Sequence, residues 1–250
     1  MSKRVALVTG STSGIGLAIA QKFAQMNYCV ALNSFEPAQD HAGLIGELDV
    51  LGSGEIAYFP ADLSDGSASQ ALTDAVIAHF GQVDVLVNNA GWDVFTPFLK
   101  SGPDFWEKLI GINLRAVLNI THPVLSRMVE RGGGRIVSIA SDAARVGSSG
   151  ESVYAACKAG VIAFSKTLAR EHSRQGITFN VVCPGVTETG MLENFMEAAG
   201  DKEKLRVAFQ RAVPMGRLGQ PDDLPGKVGE LPQCVLVGEH HRRLRVLHHQ

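Results

Sequence analysis

Short apolar runs rich in β-branched residues alternate with longer amphipathic stretches along most of this chain. The apolar runs predict strands over residues 4–9, 28–33, 55–59, 84–88, 135–140 and 177–182. Helical spacing between them predicts helices at about 15–26, 38–50, 67–80, 104–130 and 152–173. This alternation indicates parallel βαβ units, and runs without polar positions indicate strands that are buried on both faces. We therefore predict an α/β fold, a doubly wound parallel sheet of the Rossmann type in a single domain.

The C-terminal stretch departs from this alternation. We therefore divide the chain into a Rossmann-type domain, residues 1–226, and an atypical tail, residues 227–250. Beyond residue 226 no helix followed by a final strand is recognisable. Four of the eight histidines lie within residues 240–249, and we interpret this stretch as a solvated basic tail rather than a metal site.

Composition and charge exclude several classes of function. The 23 basic and 25 acidic residues leave a net charge of -2, which argues against a nucleic-acid or acidic membrane surface as partner. No apolar stretch approaches the roughly 18 residues of a membrane span. No cysteine pair has the spacing of a metal site or a disulfide framework, so we expect no metal and a location in the reducing cytoplasm. The cysteines are Cys29, Cys157, Cys183 and Cys234.

A glycine-rich loop joins the first predicted strand to the first predicted helix. Gly10 allows a tight turn, Gly14 allows the backbone to approach a pyrophosphate, and Gly16 allows the helix to pack closely on the strand. The start of the helix would present N–H groups to phosphate. A glycine turn without a ligand is the alternative, but the position between strand and helix favours a nucleotide.

A tyrosine and a lysine, Tyr154 and Lys158, are four residues apart and therefore share one face of a helix. A phenol with a reference pKa of about 10 needs a positive charge beside it to act as a base at neutral pH. Ser141 follows the fifth predicted strand, at the sheet edge where open α/β folds bind ligands. The Tyr-x-x-x-Lys pair alone is typical of an exposed helix face and becomes specific only in combination.

That combination is present. With Asn88-Asn89-Ala90-Gly91, Asn113 and Pro184-Gly185, these motifs resemble the classical short-chain dehydrogenase/reductase family, from residue 5 to about residue 226. The resemblance implies an oxidoreductase that transfers a hydride between a nicotinamide cofactor and a secondary alcohol or ketone. It assigns catalytic roles to Asn113, Ser141, Tyr154 and Lys158.

In these roles Tyr154 exchanges a proton with the substrate oxygen, and Ser141 donates a hydrogen bond to that oxygen. Lys158 lowers the pKa of the tyrosine and binds the nicotinamide ribose. Asn113 interrupts its helix to hold a water, although it could otherwise be an ordinary capping or turn residue.

The resemblance also implies a set of cofactor contacts. They are Gly10, Ser13, Gly14, Ile15, Gly16, Ser34, Asp62, Leu63, Asn89, Ala90, Gly91, Tyr154, Lys158, Pro184, Gly185, Thr187 and Thr189. Asp62 could alternatively be the N-cap of the following helix. Ser34 occupies the position at which an acid would select NAD and an arginine NADP, and the nearby Glu36 favours NAD, with NADP possible.

Residues 89–93 and 141–151 are similar to those of 2-hydroxycyclohexanecarboxyl-CoA dehydrogenases, which implies a β-hydroxyacyl-CoA substrate. The alternatives are the 3-oxoacyl-carrier-protein reductases and the 3-hydroxybutyrate dehydrogenases of the same family. Trp92 and Arg145 are the candidate substrate residues, and Arg145 could meet a CoA phosphate or pair with a nearby acid. A lid or an ordinary amphipathic helix would explain the apolar residues Met191, Leu192, Phe195 and Met196.

The departure from the family beyond residue 226 suggests a reading-frame change in the gene. It also motivates a rival hypothesis, a catalytically weak or structural subunit. Family members pair through the two long helices and the final strand, so we expect a homo-oligomer, a dimer rather than a tetramer. The helix positions expected to pack across the two-fold axis are Leu114, Val117, Leu118, Val161, Phe164 and Leu168.

Overall fold

The computed structural model describes residues 3–198, 202–229 and 237–238. Its strands are β1 (Val5–Thr9), β2 (Cys29–Asn33), β3 (Ile56–Tyr58), β4 (Val85–Asn88), β5 (Gly134–Ile139), β6 (Ile177–Val182) and β7 (Val237–Gly238). They form one parallel sheet in the order β3-β2-β1-β4-β5-β6-β7. This arrangement confirms the predicted single-domain, doubly wound α/β fold.

The helices cover both faces of the sheet. They are α1 (Gly14–Gln25), α2 (Ala42–Asp49), α3 (Gly66–Phe80), α4 (Pro103–Ile110), α5 (Ala116–Arg131), α6 (Ala143–Val146), α7 (Ser152–Glu171), α8 (Gly190–Ala198), α9 (Lys202–Ala212) and α10 (Pro225–Gly229). A π-helical turn, Gly111–Arg115, divides the helix that the sequence predicts over 104–130 into α4 and α5. Short 3₁₀ turns lie at Ala38–His41, Phe98–Lys100 and Pro221–Asp223.

The core consists of two apolar layers, one on each face of the sheet. Neighbouring residues of β1 contribute to different layers: Ala6 packs with α1, whereas Leu7 packs with α3 and α5. Both are fully buried. A parallel strand that is covered on both faces cannot show polar alternation, and this explains the continuous apolar runs of the sequence.

Specific residues fix the ends of the helices that frame the site. Asp65 caps α3, because its carboxylate accepts hydrogen bonds from the N–H groups of Ser67 and Ala68. Gly81 ends α3 in the left-handed conformation, with φ of 85°. Gly132 ends α5 in the same conformation, with φ of 78°.

Part of the C-terminal region rebuilds elements that the sequence pattern does not reveal. Helix α10 packs against α1, and β7 extends the sheet by pairing with Val181 and Val182 of β6. Within the described residues β7 comprises two residues, which pair with the last two residues of β6. The predicted histidine-rich tail, residues 240–249, lies outside the described residues.

The structure corrects part of the expected subunit interface. Val117 and Val161 are 5% and 1% exposed, so they pack inside their own subunit and cannot pack across a two-fold axis. Leu168 packs against the core layer beneath α3 and α5. Leu118 is 39% exposed and remains accessible on α5.

Candidate functional site

The predicted site residues gather at the carboxyl edge of the sheet, where β1 and β4 lie side by side. Thr9 joins the two strands: its Oγ1 accepts hydrogen bonds from the N–H groups of Asn89 and Ala90, at 2.9 and 3.0 Å. The Asn89 amide returns two hydrogen bonds of 2.9 Å, to the carbonyls of Thr9 and Gly10. Thr9 is not among the cofactor contacts predicted from the sequence. Its position directly before Gly10 could have indicated a role in this loop.

The glycine loop has a geometry that only glycine allows. Gly10 and Gly14 have φ of +58° and +54°, in the left-handed region. A Cβ atom on Gly16 would overlap the Gly10 carbonyl oxygen and Asn89 Nδ2, and would lie 2.9 Å from the Gly10 carbonyl carbon. The side chain of Ser13 makes no capping hydrogen bond to α1. The first N–H groups of α1 therefore suit an anionic group, and the loop fits the pyrophosphate of a dinucleotide.

An acidic group lies close to the end of β2. The Ser34 hydroxyl donates a hydrogen bond of 3.1 Å to Glu36 Oε2, and His41 Nε2 lies 2.9 Å from the same carboxylate. Asn33 fixes the adjacent loop, because its amide donates to the Phe59 carbonyl at 3.0 Å. The Glu36 carboxylate therefore lies within hydrogen-bonding distance of the Ser34 side chain, although Glu36 is two residues further along the chain.

Asp62 is not the N-cap of α3, and that alternative is wrong. Its carboxylate accepts hydrogen bonds from the backbone N–H and the hydroxyl of Ser64, at 2.9 and 2.8 Å, while Asp65 caps the helix. The neighbouring Leu63 carbonyl accepts a hydrogen bond of 2.9 Å from Asn119 of α5. Asn119, which the sequence did not single out, therefore anchors the loop that carries Asp62 and Leu63.

Ser141, Tyr154 and Lys158 come together where β5 meets α7. The Ser141 hydroxyl forms a hydrogen bond with the phenol of Tyr154. Lys158 is 3% exposed, and its Nζ donates a hydrogen bond of 3.0 Å to the Ile139 carbonyl. Burial lowers the pKa of Lys158 to about 8.

The expected effect of Lys158 on Tyr154 is not found. Burial raises the pKa of Tyr154 above its ordinary value, the nearby carboxyls of Glu151 and Asp93 raise it further, and the Ser141 hydrogen bond opposes them. Lys158 Nζ lies 5.6 Å from the centroid of the tyrosine ring and is directed to the Ile139 carbonyl. Desolvation and the two acidic neighbours thus affect the pKa of Tyr154 more strongly than the Lys158 ammonium does.

Asn113 lies in the π turn and is fully buried. Its Oδ1 accepts a hydrogen bond of 3.2 Å from the N–H of Trp92, and its Nδ2 donates to the carbonyls of Trp92 and Leu109. The side chain therefore fixes the segment after β4, as the turn interpretation expects. A Cβ on Gly91 would lie 3.1 Å from Asn113 Oδ1 and 3.3 Å from Lys158 Nζ, so this glycine keeps space open beside both groups.

The loop that contains Pro184, Gly185, Thr187 and Thr189 lies against the glycine loop. Thr189 Cγ2 would be 3.3 Å from a Cβ on Gly14. The Pro184 carbonyl accepts a hydrogen bond of 2.9 Å from the N–H of Asp142, and the Thr187 hydroxyl donates to the Gly185 carbonyl at 3.0 Å. The structure therefore brings this loop to the same edge of the sheet as the candidate catalytic residues.

The two candidate substrate residues point to different partners. The Trp92 indole packs edge-on against Phe105, and Lys108 Nζ lies 4.0 Å from the centroid of the indole ring. Arg145 Nη1 lies 3.9 Å from Asp142 Oδ1, so one of the ion pairs that the sequence left open is present.

The apolar residues that follow the loop from Pro184 to Thr189 lie on α8. Leu192 and Met196 are buried against Leu218, as expected of an amphipathic helix face, whereas Met191 is exposed. The Phe195 ring has its centroid 3.9 Å from that of Phe95. Helix α8 thus contacts the segment that follows β4.

Within residues 3–198, 202–229 and 237–238, no three His, Cys, Asp or Glu side chains are grouped so that they could hold a metal ion. In the same part of the chain, no helix is both long enough and apolar enough to cross a membrane.

Comparison with known proteins agrees with this geometry. A family described as short chain dehydrogenase matches residues 4–200. An acetoacetyl-CoA reductase of Shinella zoogloeoides is 39% identical over 227 residues, 88% of this chain and 87% of that protein. A 3-oxoacyl-[acyl-carrier-protein] reductase of Escherichia coli is 34% identical over 233 residues, 91% of this chain and 89% of that protein.

Two solved structures extend the similarity to the fold. A single-residue variant of actinorhodin polyketide ketoreductase with NADPH has a TM-score of 0.85 and 35% identity, covering 91% of this chain and 90% of that one. An NADH-dependent reductase responsible for alginate metabolism has a TM-score of 0.78 and 30% identity, covering 90% and 87%.

Proposed function

Because the chain belongs to the short-chain dehydrogenase family, we propose that it is a cytoplasmic NAD-dependent enzyme that interconverts a β-oxoacyl and a β-hydroxyacyl thioester. Family membership makes it an oxidoreductase of CH–OH and ketone groups that uses NAD(P). The observation that supports the proposal is the position of Lys158, one helical turn after Tyr154, beside Gly91 in the segment that Asn89 bonds to the glycine loop.

The thioester class rests on the relatives. Their names include acetoacetyl-CoA and 3-oxoacyl-carrier-protein reductases, whose substrates carry a ketone two carbons from a thioester carbonyl. Residues 89–93 and 141–151 resemble 2-hydroxycyclohexanecarboxyl-CoA dehydrogenases and favour an alicyclic β-hydroxyacyl-CoA as a second candidate. Both candidates present the same reacting groups to the site.

In the proposed reaction, the bound nicotinamide supplies or accepts the hydride. The Tyr154 phenol gives its proton to the substrate oxygen during reduction and recovers it during oxidation. The Ser141 hydroxyl donates a hydrogen bond to the same oxygen and stabilises its developing negative charge. Because its pKa is raised, Tyr154 is protonated at neutral pH, the form that reduction requires.

The remaining polar residues hold this arrangement. Lys158 places its ammonium beside Gly91, where it can bind the nicotinamide ribose. We propose that the main role of Asn113 is to fix the Trp92 backbone, which determines the shape of the space beside Gly91. The presence of α10 and β7 speaks against the rival hypothesis of a structural subunit that lacks the last part of its sheet.

We propose NAD as the preferred cofactor because of Glu36. Its carboxylate receives the Ser34 hydrogen bond at the end of β2, where an acid bonds the 2′-hydroxyl of the adenosine ribose and repels a 2′-phosphate. The solved relatives include one structure with NADPH and one NADH-dependent enzyme, so the choice depends on residues of this chain.

We also propose a dimer formed through α5 and α7. Leu118 supplies exposed apolar surface on α5 for such a contact.

Replacement of Tyr154 by Phe removes the proton that the substrate oxygen needs. We expect kcat for acetoacetyl-CoA reduction with NADH to fall by roughly 10² to 10⁴-fold, while the Kd for NADH changes by less than about threefold. Stopped-flow absorbance and fluorescence titration measure the two quantities. Tyr28→Phe, which alters a distant tyrosine bonded to Arg4, is the matched control. A Tyr154→Phe enzyme with most of its activity would contradict the assignment.

Replacement of Glu36 by Gln keeps the size of the side chain and removes its charge. The unaltered enzyme should prefer NAD over NADP in kcat/KM by about tenfold or more, and Glu36→Gln should reduce that ratio several-fold. Initial rates at matched cofactor concentrations measure it. Glu47→Gln, on the exposed face of α2, should leave the ratio unchanged. A strong NADP preference in the unaltered enzyme would refute this choice of cofactor.

The oligomeric state can be measured by light scattering during size-exclusion chromatography. We expect a mass of twice the 26.6 kDa chain, and Leu118→Glu should shift the population towards the monomer. A stable tetramer would show that the proposed interface is incomplete.

A further inference from the structure

The loop from Pro184 to Thr189 directs its side chains to two different parts of the molecule. Thr189 faces the glycine loop, where its Cγ2 would lie 3.3 Å from a Cβ on Gly14. The side chain of Glu188 instead binds partners in α9 and beside the turn Pro221–Asp223. Consecutive residues of an extended segment point to opposite sides, so Glu188 holds the loop from the side that faces away from the glycine loop.

The carboxylate of Glu188 binds two side chains that are distant along the chain. Its Oε1 accepts a hydrogen bond from Nη2 of Arg206, in α9, and the two side chains form an ion pair. Its Oε2 accepts a hydrogen bond of 2.8 Å from the side-chain amide of Gln220. Each carboxylate oxygen thus has a donor, and the two donors belong to different elements of the fold.

Gln220 is itself held in place by the turn that follows it. Its backbone N–H donates a hydrogen bond of 2.8 Å to Asp223 Oδ2, and Arg217 donates to both oxygens of that carboxylate, at 2.7 and 3.1 Å. The turn packs against α1, the helix that follows the glycine loop. Glu188 therefore links its loop to a turn that rests on the same helix as the glycine loop.

The remaining contacts of the loop fix its direction on one side only. The Glu188 N–H donates to the Gly219 carbonyl at 2.8 Å, and the Gly219 N–H donates to the Val186 carbonyl at 2.9 Å. Towards α9, Val186 packs in an apolar cluster with Leu205 and Phe209. Apolar packing is not directional, whereas charge-assisted hydrogen bonds are, so the pair of Glu188 with the α9 arginine adds a defined geometry on that side.

We propose that Glu188 is a positioning residue that holds the loop from Pro184 to Thr189 against the glycine loop, so that a bound nicotinamide stays in place for hydride transfer. The inference rests on the proposed function and on the expected contact of Thr187 and Thr189 with the cofactor. Glu188 acts through the loop and touches neither cofactor nor substrate. Because the pyrophosphate and the adenosine would lie at the glycine loop and at the end of β2, Glu188 affects the nicotinamide half of the cofactor.

Binding of NADH and of ADP-ribose tests the proposal, because ADP-ribose lacks the nicotinamide ring. In Glu188→Ala we expect the Kd for NADH to rise about fivefold and the Kd for ADP-ribose to change by less than about twofold. Water screens the ion pair, since the Glu188 and Arg206 side chains are 31% and 40% exposed, and this limits the size of the effect. Isothermal titration calorimetry measures both constants.

Glu197→Gln is the matched control. Glu197 of α8 pairs with Lys202 of α9 at 2.6 Å, so this variant breaks an ion pair that joins the two helices rather than one that joins α9 to the loop. It should leave both dissociation constants unchanged. An unchanged Kd for NADH in Glu188→Ala, or an equal loss of affinity for both ligands, would overturn the proposal.

An exchange of charges separates the ion pair from the volume of the side chain. Glu188→Arg places a second cation beside Arg206 and should weaken NADH binding. Combination with Arg206→Glu restores the pair in the opposite direction, and the Gln220 amide can turn its oxygen towards the guanidinium. We expect the double variant to bind NADH about threefold more tightly than either single variant. A double variant as weak as the single variants would contradict the proposal. Absence of turnover with every thioester, beside a selective loss of NADH affinity in Glu188→Ala, would refute the proposed function instead.

Discussion

The contact between Gly16, the Gly10 carbonyl and the Asn89 amide is the constraint on which the site depends. It leaves no volume for a side chain at the start of α1, so the helix approaches the junction of β1 and β4 as closely as backbone atoms allow. The same amide ties both carbonyls of the loop to β4. One short contact thus sets the position of the helix N-terminus and of the Gly91 segment that borders Lys158.

Next to this junction the site is buried, and neighbouring charges there have a strong effect on the pKa values of its side chains. Lys158 lies almost wholly inside the protein, and desolvation lowers its pKa to about 8. Tyr154 is buried as well and faces two acidic groups, so its proton is retained rather than released. Low polarity therefore favours the acid form of the tyrosine, and it makes each neighbouring charge a determinant of its chemistry.

Sequence periodicity predicted the strands well because each is a continuous apolar run buried on both faces. It could not show the π turn, since residues 111–115 keep the helical spacing while Asn113 turns its amide to Trp92. Nor could it show which apolar face of a long helix belongs to the core: Val117 and Val161 lie inside the subunit, and Leu118 does not. Such assignments depend on neighbours that only the folded chain supplies.

The motifs likewise indicated the proposed catalytic residues but not the groups that hold them in place. Thr9 and Asn119 are ordinary polar residues in sequence, and their roles come from strands and loops that are distant along the chain. The segment beyond β4 and the loop before α7 are also distant along the chain, and they meet where the N–H of Thr96 donates a hydrogen bond to the Gly150 carbonyl.

Titration of NADH with the Gly16→Ala variant tests the central claim most directly, because binding requires no knowledge of the substrate. The added methyl group must displace α1 from the loop, and we expect the Kd for NADH to rise at least about tenfold. Gly46→Ala, in α2 where a Cβ meets no atom within 4 Å, should bind NADH as the unaltered protein does. Equal affinity in Gly16→Ala and the unaltered protein would contradict the account.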